Sequence, residues 1–265
     1  MDYSIEVKNL TKKFGDKLAV DNISFNVPKG KVTGFLGPNG AGKTTTMRCM
    51  LGLDNATSGE ILLNGKKYIN LQNPMHVVGA MIDATAFHKS RSAYNHLKFI
   101  ADSIGEPKSR VDEVLEMTGL TSVAKKNAGK YSLGMGQRIG IAAALLGKPE
   151  ILILDEPVNG LDPEGVKWVR DLCKGFAKSG RTVFISSHLM SEMEQTVDGL
   201  VILGRGKVLA TGSLDDIKRL GGDGNESLED AYMKLTESSV EYKTDFSAIP
   251  SLDSTSDSLA LPKLQ

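Results

Sequence analysis

Cysteine is scarce in this sequence, and long apolar runs are missing. Only two of the 265 residues are cysteines, Cys49 and Cys173, and each lies in a pattern typical of a helix. We therefore expect two buried thiols in a reducing compartment and no disulfide. No segment approaches the roughly 20 apolar residues that span a bilayer. The first residues, MDYSIEVKN, have neither the basic start nor the apolar core of a signal peptide.

An excess of charge of either sign is also missing. Lysine and arginine together number 32, as do aspartate and glutamate, so the chain has no basic footprint for nucleic acid. The apolar content of 40% is ordinary for a globular protein, and the length allows one large domain or two unequal lobes. These features disfavour a nucleic-acid partner and direct membrane insertion. They predict a cytoplasmic protein whose membrane role, if it has one, depends on a partner.

The spacing of apolar residues changes twice along the chain. The first 35 residues alternate as strands do, and Asn64-Gly65 indicates a hairpin that extends this antiparallel part. Residues 93–147 have helical spacing in three segments, each closed by a glycine. EILILD and TVFISS then indicate buried parallel strands joined by a helix, PEGVKWVRDLCKGFAKSG. We predict an α/β domain over residues 1–236, with an inserted helical subdomain at about residues 85–147.

The end of the chain has its own pattern. LVILGRGKVLA indicates a late hairpin, and two short helical patterns begin near Ser213 and Ser227. Residues 237–265 are rich in serine and contain few large apolar side chains. We predict that this tail is disordered.

GPNGAGKT matches G-x-x-x-x-G-K-[ST] and lies between a predicted buried strand and a predicted helix. Glycines let the backbone curl so that its N–H groups converge on phosphate, and the helix N-terminus favours negative charge. The lysine supplies a positive charge to the β- and γ-phosphates, and the threonine hydroxyl suits Mg²⁺. A simple strand-to-helix turn is the alternative. The predicted nucleotide contacts are Gly37, Pro38, Asn39, Gly40, Ala41, Gly42, Lys43, Thr44 and Thr45.

ILILDEP places two adjacent acids at the carboxyl end of an apolar strand, where ligands bind in open α/β sheets. We expect Asp155 to hold Mg²⁺ with Thr44, and Glu156 to orient the attacking water and accept its proton. The alternative is a strand end with two solvated acids. Together with the phosphate loop, the pair favours hydrolysis over simple binding.

YSLGMGQR, residues 131–138, contains no obvious nucleophile, acid, base or metal ligand, and it resembles the signature sequence of the ATP-binding cassette (ABC) ATPases. The resemblance extends to NGLDP, similar to the D-loop of that family, and to SSH, which ends in the position of its switch histidine. It covers residues 5–236 and implies an ABC-type P-loop NTPase fold with a RecA-like core. Leu133 and Met135 depart from the usual glycine and glutamine.

In ABC ATPases two subunits face each other head to tail, and the signature of one closes over the nucleotide of the other. The resemblance thus implies that Ser132, Gly134 and Asp162 contact ATP held by a second copy of the subunit. Ser132 alone is equally typical of a helix N-cap.

Two further residues are similar to functional positions of this family. Phe14 matches the aromatic residue that stacks on adenine, although a lone phenylalanine after a strand is more often buried. His188 matches the histidine that contacts the γ-phosphate, although it could also cap the next helix. With Lys43 and Glu156, His188 completes the expected catalytic set.

The resemblance implies an ATPase subunit that uses ATP and Mg²⁺, pairs with a second ATPase subunit and drives a separately encoded permease on the inner face of the membrane. A second copy of the chain is the expected partner, and a sister subunit is the alternative. VGAMIDATAF followed by AYNHL is most similar to the branch that handles bacitracin, lantibiotics and other antimicrobial peptides. In VGAMIDATAF, Asp83 occupies the position where most ABC ATPases have a glutamine that contacts Mg²⁺, so the resemblance implies that Asp83 lies at the metal. The alternative is that Asp83 is a solvated loop acid. A soluble ABC protein would need coiled-coil insertions or tandem cassettes, and a P-loop GTPase would need an NKxD motif; the chain has neither.

Overall fold

The structure is a computed structural model and describes residues 2–221 and 226–236. The strands in these residues are β1 (Tyr3–Phe14), β2 (Lys17–Pro28), β3 (Val32–Leu36), β4 (Ser58–Leu63), β5 (Val78–Met81), β6 (Ile151–Leu154), β7 (Thr182–Ser186), β8 (Gly199–Gly204) and β9 (Lys207–Ser213). The helices are α1 (Lys43–Met50), α2 (Pro74–Val77), α3 (Ala93–Ile104), α4 (Lys108–Met117), α5 (Leu133–Leu145), α6 (Pro163–Lys178), α7 (Met190–Thr196), α8 (Leu214–Gly221) and α9 (Leu228–Thr236). The serine-rich tail that is predicted to be disordered lies outside the described residues.

A six-stranded sheet has the order β5-β6-β7-β3-β8-β9, in which only β9 runs antiparallel to its neighbour. Every residue of β3, β6 and β7 is buried, as expected for parallel strands covered on both faces. These are the apolar runs that predicted parallel strands, so the prediction of an α/β core is confirmed. Because β6, β7 and β3 are neighbours and parallel, the residues that follow them meet at one edge.

The amino-terminal part forms a separate antiparallel sheet with the order β2-β1-β4. Three phenylalanines join the two sheets: Phe35 lies 4.8 Å from Phe184 and 5.5 Å from Phe25 between ring centroids. The hairpin predicted at Asn64-Gly65 is only partly correct, because both residues have the positive φ of a tight turn but only a single bridge, Leu63 to Lys66, follows. After this turn the chain does not continue as a second strand of the hairpin. Tyr68 instead packs against the core that contains the buried residues of β1, β2 and β4.

Helices α3, α4 and α5 confirm the predicted helical stretch, and their buried residues continue the core on one face of the large sheet. Glycines end the first two of these helices, with left-handed φ of 77° at Gly105 and 68° at Gly119. Gly147, the glycine expected to end the third helix, does not have the left-handed φ of a helix end. The left-handed residue there is Lys148, while Gly147 is needed for a close approach: a Cβ atom would lie 2.3 Å from the backbone oxygen of Met75.

Helices α1, α6, α8 and α9 follow the predicted helical patterns, whereas no pattern predicted α2 or α7. On α6, Val169, Cys173 and Phe176 are buried on one face. Cys49 and Cys173 are free, buried thiols, and burial raises the pKa of Cys173 to about 12. None of the helices in residues 2–221 and 226–236 is both long and apolar enough to cross a membrane. The domain boundaries near residues 85 and 236 stay predictions.

Candidate functional site

The phosphate loop joins β3 to α1 at the carboxyl edge of the large sheet. Gly42, at the N-cap of α1, has a φ of 102°, and a Cβ atom there would lie 2.6 Å from the backbone oxygen of Ala19. A Cβ atom on Gly37 would lie 2.7 Å from the backbone oxygen of Leu203. Gly42 is therefore needed both for its backbone conformation and for space, whereas Gly37 is needed for space. Its N–H groups and the start of α1 form the kind of cradle that binds phosphate.

Lys43 lies under this loop with its side chain buried. Its Nζ donates to the backbone oxygen of Gly37 at 2.6 Å and lies 3.9 Å from Oε1 of Glu156. Burial lowers the pKa of Lys43, and the nearby carboxylates of Glu156 and Asp155 oppose this effect. The ammonium is therefore in place beside the loop, next to the acidic pair.

The acidic pair is connected to the loop by a chain of hydrogen bonds. Thr44 Oγ1 donates to Asp155 Oδ2 at 2.6 Å, and Ser186 Oγ donates to Asp155 Oδ1 at 2.5 Å. Ser186 Oγ also accepts from the backbone N–H of Glu156 at 2.9 Å. Ser186 was not among the predicted site residues. The sequence feature that could have identified it is its position: Ser186 is a hydroxyl residue that ends an apolar strand and begins the SSH segment.

Glu156 and His188 are in direct contact. Nδ1 of His188 lies 2.8 Å from Oε2 of Glu156, and the histidine is 55% exposed. Helix α7 starts only after Leu189, so His188 faces Glu156 and does not cap that helix. A carboxylate held between an ammonium and an imidazole at a phosphate loop can orient a water molecule and accept its proton.

Two cavities meet at Glu156. The larger, about 1110 Å³, is lined by the phosphate loop and by the segment from Phe14 to Ala19. Phe14 is 47% exposed with Lys12 Nζ 4.5 Å from its ring centroid, so the alternative of a buried core residue does not hold. The smaller cavity, about 380 Å³, is lined by His188, Asn159 and Tyr232 as well as by loop residues.

Ser132, Gly134 and Asp162, the predicted contacts to the partner's ATP, lie outside these two cavities. Ser132 caps α5 by accepting from the N–H of Met135 at 3.3 Å, and Asp162 caps α6 by accepting from the N–H of Gly165 at 2.8 Å. A Cβ atom on Gly134 would lie 3.1 Å from the backbone oxygen of Gly160, so the start of α5 packs on the D-loop of its own chain. Among the described residues, these three do not line the two cavities at Glu156.

Asp83 follows β5, the neighbour of β6 at the edge of the sheet. Its Oδ1 accepts from both the N–H and the hydroxyl of Thr85, each at 2.7 Å, and these bonds lower the pKa of Asp83. It lines a third cavity of about 480 Å³ with Arg48 and His96, and the hydrogen bonds of its side chain in the described part of the chain go to Thr85. The structure thus places Asp83 at the edge of this third cavity, and its predicted role near Mg²⁺ stays a prediction.

The described residues contain no group of three or more histidine, cysteine, aspartate or glutamate side chains placed to hold a metal. Thr44 and Asp155 still offer two hard oxygen atoms at the edge of the phosphate loop. Mg²⁺ typically takes one or two protein oxygens together with phosphate and water, so this pair fits it.

Comparison with known proteins agrees with this geometry. Residues 20–159 match the family described as ABC transporter. A bacitracin transport ATP-binding protein, BcrA of Bacillus licheniformis, is 46% identical over 222 residues, which are 83% of this chain and 72% of the relative. A lantibiotic transport ATP-binding protein, SrtF of Streptococcus pyogenes, is 36% identical over 228 residues, 86% of this chain and 95% of the relative.

A solved structure, the ATP binding subunit of an ABC transporter, superposes with a TM-score of 0.80 at 28% identity, covering 88% of this chain and 99% of that one. This chain therefore has the fold of an ABC transporter ATP-binding subunit. The phosphate loop, the acidic strand end and the signature segment are characteristic of that fold. This chain belongs to the ABC transporter family, as an ATP-binding subunit that hydrolyses ATP.

Proposed function

We propose that this ATPase drives a separately encoded membrane permease that exports, or gives immunity to, an antimicrobial peptide or antibiotic. The relatives named for bacitracin and lantibiotic transport support this class of cargo. The observation that carries the enzymatic part is the position of Glu156, whose carboxylate lies between Lys43 and His188.

In this proposal Glu156 is the general base. Its carboxylate orients a water molecule for attack on the γ-phosphate and accepts the proton. Lys43 stabilises charge on the phosphates, and His188 contacts the γ-phosphate while it holds Glu156 in place by the 2.8 Å contact. The base of ATP stacks on Phe14 at the mouth of the larger cavity.

Thr44 and Asp155 are the residues that would hold Mg²⁺. Bound there, the ion would neutralise charge on the β- and γ-phosphate oxygens. Ser186 fixes the second oxygen of Asp155, so the carboxylate keeps one orientation.

Ser132, Gly134 and Asp162 act in the site of a second subunit. Each lies outside the cavities of its own phosphate loop, at a helix start whose N–H groups favour anions. A head-to-tail dimer of this chain places them over the partner's ATP. Two composite sites result, each made from the phosphate loop of one subunit and the signature of the other.

The third cavity is the proposed contact with the permease. Leu53, Tyr68, Phe87 and Ile100 give it an apolar wall, and Asp83 lies at its edge. Such a partly apolar groove between packed helices and a sheet edge suits an amphipathic helix of a partner. Through it the subunit would sit on the inner face of the membrane.

The test is to co-purify the chain with membrane proteins from its host and to express the pair in a bacitracin-sensitive bacterium. We expect protection that depends on ATP hydrolysis and is lost in Lys43→Ala. A pair that hydrolyses ATP but leaves sensitivity to bacitracin and lantibiotics unchanged would reject the proposed cargo class while leaving the ATPase assignment intact.

A further inference from the structure

Gln137 connects the signature helix to the backbone of the acidic strand end. It lies on α5, is only 4% exposed, and its Nε2 donates to the backbone oxygens of Asn159 at 3.2 Å and Glu156 at 3.4 Å. Its Oε1 is buried without a hydrogen-bond partner among residues 2–221 and 226–236. In the opposite orientation of the amide, Oε1 would face the carbonyl oxygens of Glu156 and Asn159, which have no hydrogen to donate. The two donated bonds therefore set its orientation.

The backbone that Gln137 contacts is unusual. Glu156 has a φ of +48°, a left-handed conformation that is strained for a residue with a side chain. Ser186 accepts from the N–H of Glu156 and Gln137 donates to its C=O, so the peptide groups on both sides are held. The direction of the carboxylate follows from this backbone conformation.

Packing reinforces the same connection. A Cβ atom on Gly160 would lie 2.4 Å from Cδ2 of Leu133, and one on Gly134 would lie 3.1 Å from the oxygen of Gly160. The first turns of α5 thus cover the segment from Glu156 to Leu161 closely. A shift of the Ser132 end of this helix would be transmitted directly to the turn that carries Glu156.

We propose that Gln137 is a positioning residue for Glu156, and that it links the signature of each subunit to the catalytic carboxylate of the same subunit. This inference rests on the proposed function, because it requires Glu156 to be the base and Ser132 to act in the partner's site. In the dimer, Gln137 would therefore couple the two composite ATP sites: closure over the partner's nucleotide sets the position of the subunit's own base.

The first test is a double-mutant cycle. Gln137→Met has similar length but no donor, and we expect kcat to fall about tenfold while KM for ATP changes less than about twofold. In the Glu156→Gln background the same substitution should change kcat less than about twofold, because the group it positions is already gone. Equal losses in both backgrounds would overturn the inference.

The matched control is Arg110→Met. Arg110 is also buried and donates to the backbone oxygens of Leu145 and Leu146, at the other end of α5. The substitution Arg110→Met should lower the melting temperature of the protein but leave kcat unchanged at an assay temperature well below melting. If it lowers kcat as Gln137→Met does, the effect is general loosening of the helix. Gln137→Glu, which keeps the shape and removes the donor, replaces Gln137→Met if the latter does not fold.

The second test assigns the effect to one site. A mixture of Ser132→Arg and Lys43→Ala subunits contains one intact composite site, with its base on the Ser132→Arg subunit and its signature on the other. Gln137→Met added to the Ser132→Arg subunit should lower the recovered activity about tenfold. Added to the Lys43→Ala subunit, it should have little effect. The reverse result would show that Gln137 supports the signature and would overturn the inference.

The tests also separate this inference from the proposed function. A mixture without Gln137→Met that recovers no activity rejects the composite sites themselves. Glu156→Gln that turns over normally rejects Glu156 as the base. If both reference results hold and Gln137→Met leaves kcat unchanged, only the positioning role is wrong.

Discussion

Thr44 and Asp155 are 111 positions apart in the chain and share a hydrogen bond of 2.6 Å. One belongs to the phosphate loop after β3 and the other follows β6, and β7 lies between these strands in the sheet. Ser186, at the end of β7, binds the second oxygen of Asp155. Three parallel strands thus deliver one residue each to a single network, and the following predictions test what that network does.

Replacement of Glu156 by glutamine should keep ATP binding but lose most turnover. The amide keeps the shape and the contact range of the side chain but cannot accept the proton, and general-base contributions are on the order of 10² to 10⁴-fold. ATP that is bound and not hydrolysed should hold two subunits together, which gel filtration with Mg-ATP measures. A variant with near wild-type turnover would remove Glu156 from this role.

Ser132→Arg should block hydrolysis while the subunit still binds nucleotide at its own phosphate loop. Arginine is too large for close contact with the partner's γ-phosphate, and Ser132 itself lies outside the subunit's own cavities. Mixing this variant with Lys43→Ala should rebuild one composite site. Activity no higher than that of either parent alone would contradict the head-to-tail arrangement or the independence of its two sites.

Phe14→Ala should weaken ATP binding without a comparable loss of stability. The ring is half-exposed, so its removal leaves no cavity in the core, whereas stacking on a base contributes about 1–3 kcal/mol. Phe14→Trp is the matched control and should retain affinity. Calorimetric titration with ATP beside a thermal melt separates the two effects, and unchanged affinity in the alanine variant would place adenine elsewhere.

Asp83→Ala should leave nucleotide affinity within about a few-fold, raise the Mg²⁺ concentration for half-maximal hydrolysis and blunt stimulation by the permease. Its pKa is lowered by the two bonds from Thr85, so the carboxylate stays charged throughout the neutral range. Asp83→Asn, which keeps the shape and removes the charge, is the control.

The two measurements on Asp83 report different roles. A changed Mg²⁺ midpoint supports a role near the metal, and loss of stimulation alone supports a role in the groove where the structure places it. If both stay unchanged, Asp83 is a surface charge.

The sequence by itself determined the chemistry and its order along the chain. GPNGAGKT and ILILDEP were predictable because local spacing dictates them: glycines where the backbone must curl, and an apolar strand before two acids. YSLGMGQR by itself indicated only the start of a helix, and its role came from its resemblance to the family signature. The glycine ends of α3 and α4 were predictable for the same reason, since a left-handed residue closes a helix whatever lies around it.

Tertiary structure alone decided which of these residues meet. Sheet order brings Ser186 to Asp155 and Glu156, and no local pattern encodes strand order. Gln137 reaches Glu156 only because α5 packs across the acidic strand end, and Gly147 is required by a distant carbonyl oxygen and not by helix termination. The third cavity, which Asp83 lines, is also built from distant segments of the chain, and the role of Asp83 at the metal stays a prediction. Local sequence fixes a residue's chemistry and backbone, whereas long-range packing fixes its partners.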